Sequence, residues 1–318
     1  MLPRNVVMVG WSAEDGSWLC GPKDHSRTSH FARVLITIEF LSEHLLTTMS
    51  RHSFWFILCF WDGWRERHLF SDHYAWVPAQ DCETAIEWRG QSGELPILSS
   101  NRRWVACFCA HRGDPSAFIL PDPHYLSTFG YAATVNMLRR RQVAWEAKTD
   151  RAIYAGGNHG EITNYFPPLI PGRPHPREYL KQIAKNMGIE VFLDRGISLR
   201  DQLNYKWILD VDGFVRSWDA FAWKMRSGSV TLSAASPWES FFTRLFTPWV
   251  HYVPIANDFA DLTEKLEWCR MHDRECKRIA ERAQQHAQIV YSPEYVGCAV
   301  AEQWRTQLYS EDLVLLSA

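Results

Sequence analysis

Three short segments of the sequence carry residue types that could do chemistry, each beside a glycine. They are Asp62-Gly63, residues 156–160 (GGNHG) and residues 212–217 (DGFVRS). A glycine-rich loop lets backbone N–H groups approach a phosphate or a sugar closely. Arg216, just before an expected helix, would favour an anion there. The plain alternatives, a simple turn and a capped helix with an exposed arginine, stay open.

Asp62 follows the apolar run 54–61 and lies between Trp61 and Trp64. Indole rings around a carboxylate disfavour its charged form, which would raise the pKa of Asp62 toward that of a useful base. The same residue could instead close the strand as an Asx turn. The residue types do not choose between a general base and a turn.

Several common motifs are absent from the sequence. It contains no GxGxxG, GxxxxGK[ST], HExxH or GxSxG pattern, so four familiar enzyme classes have no support. Asp210-Val211-Asp212 does spell DxD; we interpret it as the end of a strand, with a metal-binding role left open. None of the 8 cysteines forms a CxxC pair, so neither structural zinc nor a disulfide framework is expected.

Composition excludes several broad classes. The chain has 318 residues, 46% of them hydrophobic, with 34 Lys+Arg against 36 Asp+Glu, so it can bury a core and has no basic surplus for nucleic acid. No apolar stretch approaches the roughly 20 residues that span a bilayer, and the N-terminus lacks a secretory signal pattern. We expect no membrane span and a cytoplasmic location, or a secretory lumen if a leader has been removed.

Residues 206–234 form the clearest structural unit. A strand at 207–211 ends at Asp212-Gly213, a helix capped by Ser217 is stopped by Gly228, and a strand follows at 230–232. This is a βαβ pattern, and open α/β sheets place ligands at the carboxyl ends of their strands. The loop that starts at Asp212 is therefore a candidate ligand site.

The rest of the chain also alternates strands and helices. Helices are predicted over 134–148 and 178–187, the second stopped by Gly188, and the proline-rich segment 166–176 is a surface loop. Alternating elements predict an α/β protein of two lobes. The predicted boundaries are 1–150, 151–290 and a C-terminal helix at 291–318, which could pack back on the N-terminal lobe.

Two segments, YKWILDVDGFVRSWDAFAWKMRSGSVTL (205–232) and PWVHYVPIANDFADL (248–262), resemble glycosyltransferase family 90. That family includes Rumi-type protein O-glucosyltransferases, fungal capsule-associated proteins and bacterial LpsA-like lipopolysaccharide transferases. More loosely, WEAKTDRAIYAGGNHG (145–160) and FWFILCFWDG (54–63) resemble the family's glycine segment and the strand that ends in its catalytic aspartate.

The resemblance implies a GT-B-like fold in which two Rossmann-like lobes face a cleft. The N-terminal lobe would hold the acceptor and residues 151–290 the nucleotide-sugar. It implies inverting, metal-independent transfer of a glucose- or xylose-type sugar from a UDP-sugar to a hydroxyl on a glycan, lipopolysaccharide or protein, with no cofactor. Asp62 would be the general base. The implied donor-binding residues are Gly156, Gly157, Asn158, Gly160, Asp212, Gly213, Arg216 and Ser217.

The sequence departs from the family at two positions near the expected diphosphate. Ala155 stands where the family commonly has arginine, and Asp219 replaces a basic residue of the animal branch. Arg216 or Arg226 could compensate for the lost charge. A non-catalytic sugar- or nucleotide-binding protein is therefore the alternative. A retaining glycoside hydrolase is a weaker one, because it needs a second carboxyl group beside Asp62.

Overall fold

The computed structural model describes residues 6–12, 14, 16–21, 32–49, 54–60, 105–114, 117–166, 169–194, 196–216 and 218–308. The chain divides into two compact units, one made of residues 1–127 with 293–318 and the other of residues 128–292. Each contains a sheet with parallel strands and helices, which confirms the predicted α/β class. No helix within the described ranges is long and apolar enough to cross a bilayer.

The strands are β1 Val6–Ser12, β2 Ser17–Gly21, β3 Phe54–Cys59, β4 Val105–Cys107, β5 Cys109–His111, β6 Ala117–Ile119, β7 Thr149–Gly156, β8 Ile189–Leu193, β9 Tyr205–Asp210, β10 Val230–Ala234, β11 Trp238–Ser240 and β12 Val253–Ile255. The helices are α1 Ala32–Met49, α2 Pro123–Ser127, α3 Ala132–Arg140, α4 Pro176–Ala184, α5 Leu199–Gln202, α6 Ala220–Arg226, α7 Leu262–Met271, α8 Asp273–Val290 and α9 Pro293–Leu308.

The first unit has a mixed sheet in the order β2-β1-β3-β4-β6. Strand β1 is antiparallel to both β2 and β3, whereas β3, β4 and β6 run parallel. Helix α9 belongs to this unit, and Trp304 packs edge-on against Phe56 and Phe118 with ring centroids 5.6 and 5.4 Å apart. The first unit therefore takes elements from both ends of the chain.

The second unit has a five-stranded parallel sheet in the order β12-β10-β9-β7-β8. The chain runs from β7 outward to β8, then returns to the other side of β7 for β9 and continues to β10 and β12. The strand order thus reverses between β7 and β9. In doubly wound folds, ligands bind at this topological switch point, outside the carboxyl ends of the strands.

Helices cover both faces of this parallel sheet. Successive side chains of a strand point to opposite faces, so one strand packs against helices on both sides. Trp207 and Leu209 of β9 belong to a buried cluster with Leu180 of α4. Ile208, between them, belongs to a second cluster with Leu138 of α3. Since α3 packs on this sheet, the unit starts at residue 128 and not at the expected 151.

The helix boundaries refine the sequence interpretation. Gly188 and Gly228 have the predicted left-handed φ angles of 69° and 68°. Gly228 follows the cap of α6 directly, whereas the helix expected over 178–187 is α4, which ends at Ala184 before Gly188 is reached. The helix expected over 134–148 ends at Arg140, and a short 3₁₀ turn follows at Trp145–Ala147. Trp145 is buried and its indole Nε1 lies 3.1 Å from both carboxylate oxygens of Asp273, so a distant contact fixes this turn.

Candidate functional site at the carboxyl ends of β7 and β9

Two loops meet at the switch point of the second unit. The glycine loop (residues 156–160) follows β7, and the aspartate turn (residues 211–216) follows β9. Because β7 and β9 are hydrogen-bonded parallel neighbours, their carboxyl ends lie side by side. A Cβ added to Gly160 would lie only 3.3 Å from the Gly213 carbonyl oxygen. The structure therefore brings together two segments that the sequence singled out separately.

Asn164 holds the aspartate turn in place. Its Nδ2 donates to the Gly213 carbonyl oxygen at 2.6 Å, and its Oδ1 accepts the indole N–H of Trp238 at 2.7 Å. Asn257 Nδ2 donates to the Asn164 carbonyl oxygen at 3.1 Å. Asn164 is buried, so each of these bonds satisfies a group that water cannot reach. Sequence reasoning missed this residue, because its partners are distant along the chain.

Arg177, in the first turn of α4, bridges the two loops. Its Nη1 donates to the Gly157 carbonyl oxygen at 3.1 Å, while Nε and Nη2 donate to the Val211 carbonyl oxygen at 3.3 and 3.2 Å. Nη1 also lies 3.1 Å from His159 Nε2. A guanidinium only donates hydrogen bonds, so His159 Nε2 is the acceptor. Arg177 was not among the residues that the sequence selected.

At two glycines these side chains lie directly against the backbone. A Cβ at Gly157 would be 2.4 Å from His159 Nδ1. A Cβ at Gly213 would be 2.9 Å from Arg177 Nη2 and 3.0 Å from His159 Nε2. The His159 ring also packs on Phe214 at 5.1 Å between centroids. Glycine at 157 and 213 therefore permits the close approach of both loops to Arg177 and His159.

Asp194, at the end of β8, fixes the other side of the glycine loop. Its Oδ1 accepts the Asn158 backbone N–H at 2.7 Å, and its own N–H donates to the Gly156 carbonyl oxygen at 3.1 Å. Asp194 has a φ of 53°, an uncommon conformation for a residue other than glycine. The loops that follow three neighbouring strands, β8, β7 and β9, thus contribute residues to one site.

A buried charge network lies beside the aspartate turn. Lys224 Nζ contacts Asp210 Oδ1 at 2.7 Å, and Arg216 Nη2 donates to Asp210 Oδ2. Arg216 Nη1 donates to the Ala234 carbonyl oxygen at 2.8 Å. Burial alone would raise the pKa of Asp210, but Lys224 and Arg216 outweigh it and hold that pKa below its usual range. Arg216 is thus turned inward onto a carboxylate.

Asp212 has a different environment from Asp210. It accepts a hydrogen bond from Ser236 Oγ, and Arg216 Nη1 lies 3.7 Å from its Oδ1. Burial raises the pKa of Asp212, and Arg216 offsets this only in part. Over the described part of the chain, no group of three or more His, Cys, Asp or Glu side chains could hold a metal ion. Asp210, the first residue of the DxD pattern, belongs to a buried ion-pair network, because two cations contact it.

The predicted donor-binding residues divide into three groups. The switch point brings together Gly156, Gly157, Asn158, Gly160, Asp212 and Gly213. Arg216 lies beside them but engages Asp210. Ser217 and the predicted base Asp62 lie outside the described residues. Helix α6 begins at Ala220, so its N-cap is Asp219, which makes no side-chain capping bond. The predicted cap, Ser217, stands two residues before this N-cap in the sequence.

Comparison with known proteins agrees with the sequence resemblance. Human protein O-glucosyltransferase 3 is 28% identical over 162 residues, which cover 49% of this chain and 31% of that protein. Zebrafish (Danio rerio) protein O-glucosyltransferase 2 is 34% identical over 106 residues, 33% of this chain and 21% of that protein. The chain thus spans less than a third of the length of either relative.

Among solved structures, Anabaena HepE in complex with UDP-glucose overlays with a TM-score of 0.35 and 11% identity, covering 55% of this chain and 53% of that one. An overlay this weak carries no argument about the site. The family model described as glycosyl transferase family 90 matches residues 134–303, which is more than half of the 318-residue chain and includes both loops of the switch point. This protein therefore belongs to glycosyl transferase family 90.

Proposed function

We propose that this protein transfers a sugar from a UDP-sugar to an acceptor hydroxyl, with the donor bound at the switch point of the second unit. The single observation that carries the proposal is the meeting of the glycine loop and the aspartate turn at the carboxyl ends of β7 and β9. Doubly wound sheets bind nucleotides in this position. Membership of family 90 supplies the reaction class.

The proposed chemistry is a single displacement. Asp62 accepts the proton of the acceptor hydroxyl while that oxygen forms a bond to the anomeric carbon, and the bond from that carbon to the diphosphate breaks. The configuration at the anomeric carbon is inverted, and UDP leaves with the electron pair of the broken bond. A GT-B-like arrangement of two lobes, with acceptor recognition in the first unit, is part of this proposal.

We infer the donor sugar and the acceptor class from the named activities of the relatives. The relatives are named protein O-glucosyltransferases, which favours glucose over xylose as the donor sugar and a hydroxyl group of a protein as the acceptor. A glycan or a lipopolysaccharide is the other acceptor class. We also propose that no metal is needed, which the engagement of Asp210 by Lys224 and Arg216 supports.

The test is UDP release by the full chain from a panel of UDP-sugars, together with calorimetric titration of UDP. We expect UDP binding and slow hydrolysis of one UDP-sugar, unchanged by a chelator. No binding of UDP would contradict the donor site. Binding without transfer or hydrolysis would favour the non-catalytic alternative, which Ala155 at the end of β7 motivates.

A further inference from the structure

Three consecutive arginines, Arg139, Arg140 and Arg141, lie at the carboxyl end of helix α3. All three are exposed, and in the described part of the chain none has an ion-pair or side-chain hydrogen-bond partner. The negative end of the helix dipole favours cations here, but it amounts to only about half an elementary charge. Three guanidinium groups therefore leave a net positive charge at this end of the helix.

Arg200, on the short helix α5, adds a fourth cation on the same face of the sheet. It is exposed, and it too has no partner among the residues that the structure describes. Its neighbour Leu199 packs on the buried cluster that contains Leu138 of α3. The one acid of α5, Asp201, accepts a hydrogen bond from Ser198 Oγ at 2.7 Å. We name these four exposed cations the arginine patch: Arg139, Arg140, Arg141 and Arg200.

The arginine patch lies at the end of the sheet opposite the candidate site. Helix α5 ends at Gln202, directly before β9 begins at Tyr205, and α3 ends before β7 begins at Thr149. The glycine loop and the aspartate turn follow the other ends of these two strands. The 6 residues of β9, at about 3.3 Å each, separate the two ends by roughly 20 Å. A large partner can therefore cover the patch without covering the site.

We propose that the arginine patch binds the anionic headgroups of a membrane surface; this inference goes beyond the proposed function and does not depend on it. A site for a small anion needs buried donors that converge on one point, whereas these four side chains are exposed. Nucleic acid is disfavoured, because no aromatic residue for base stacking lies between residues 132 and 144.

Short-range charge complementarity favours a membrane as the partner. The attraction of a basic patch to anionic lipids decays within a Debye length of about 8–10 Å, so only local cations contribute. Acids elsewhere in the chain, whose formal net charge is -2, therefore do not cancel this attraction. Met137 and Val143 are half-buried beside the arginines and supply the apolar contact that the headgroup boundary accommodates.

The experiment is co-sedimentation of the full chain with vesicles of equal parts phosphatidylcholine and phosphatidylglycerol, and with vesicles of phosphatidylcholine alone. We expect binding to the anionic vesicles only, with release at high salt. Arg139→Gln, Arg140→Gln and Arg141→Gln combined should weaken binding about 100-fold, and Arg200→Gln alone about fivefold. Arg→Lys changes at the same three consecutive positions keep the charge and should leave binding within about threefold.

The matched control removes three exposed cations from the opposite face of the sheet. Lys181 and Arg270 adjoin Leu180 and Cys269, which belong to the buried cluster on that face, and Lys185 is on the same helix as Lys181. Lys181→Gln, Lys185→Gln and Arg270→Gln combined change the net charge equally. Vesicle binding should stay within about threefold of the wild type, because these cations lie outside the patch.

Several results would overturn the proposal. They include no binding to the anionic vesicles and equal binding to the two kinds of vesicle. An equal loss in the two triple Gln variants also overturns it, because total charge then governs binding. Tighter binding of a mixed-sequence oligonucleotide than of anionic vesicles would make nucleic acid the partner instead. None of these results bears on the donor site, which titration with UDP tests separately.

Discussion

The side-chain amide of Asn164 donates to the Gly213 carbonyl oxygen at 2.6 Å, across 49 residues of sequence. Its other end accepts the indole N–H of Trp238, which is fully buried. Asn164→Ala leaves both groups without these partners, so we expect the free energy of unfolding to fall by about 2–4 kcal/mol. Urea denaturation of the full chain measures this. Asn186→Ala, at an exposed position, should change it by less than about 0.5 kcal/mol.

Gly213→Ala tests the close approach of the two loops. The new methyl group would lie 2.9 Å from Arg177 Nη2, so the guanidinium or the turn must move. We expect UDP affinity to fall about 10-fold or more, as overpacking of about 1–3 kcal/mol implies. Gly196→Ala is the control, because a Cβ there meets nothing within 4 Å. Equal affinities in the two variants would place the nucleotide away from Gly213.

Lys148 should make stability depend on pH. Its Nζ donates to the Leu203 carbonyl oxygen at 2.5 Å and to Ser229 Oγ at 2.9 Å, and burial lowers its pKa from 10.5 to about 8. Between these values the unfolded state binds more protons, so stability contributed by this group rises with pH. The pKa difference corresponds to about 3 kcal/mol.

Lys148→Met isolates that contribution. The difference in unfolding free energy between wild type and variant should shift by about 3 kcal/mol in favour of the wild type from pH 7.5 to pH 10.5. Subtraction of the two curves removes the titration of groups that both proteins share. A constant difference over this range would show that Lys148 titrates normally in the folded state.

Asp210→Asn distinguishes the ion-pair network from a metal site. It removes the counter-charge of Lys224 and Arg216, both largely buried, so we expect a loss of about 3–5 kcal/mol of stability. The loss should be the same with EDTA or with Mg²⁺. Asp150→Asn, an exposed partner of Lys206, is the control and should cost less than about 1 kcal/mol. A metal-dependent difference would instead support a metal-binding role for the DxD pattern.

Asp62→Asn tests the general base that the family resemblance assigns. Transfer should be abolished, because an amide cannot accept the hydroxyl proton. UDP affinity and melting temperature should remain nearly unchanged. Normal turnover in this variant would remove Asp62 from the mechanism and leave the donor site untouched.

Local sequence patterns predicted the strand and the two loops that form the site. The apolar run before Asp212 predicted β9, whose residues are nearly all buried, and Gly228 predicted the end of α6. Such features depend on neighbours in sequence, which a pattern contains. The glycine loop and the aspartate turn were both selected because they contain glycine and follow short apolar strands.

Long-range partners could not be predicted in this way. The direction of Arg216 depends on Asp210 and on the Ala234 carbonyl of the next strand, and Arg177 reaches its partners only after β7 and β9 pair. The sequence pattern offered no signal for either arrangement. The catalytic role of Asp62 and the cytoplasmic location stay predictions.

Trp304, near the end of α9, packs on Phe56 and Phe118 of the first unit. On a ribosome, these two phenylalanines emerge long before the tryptophan that covers them. The continuous stretch 128–292 is fully synthesised in between and can acquire its native packing first. The first unit therefore completes its aromatic packing only after the whole of the second unit has been synthesised.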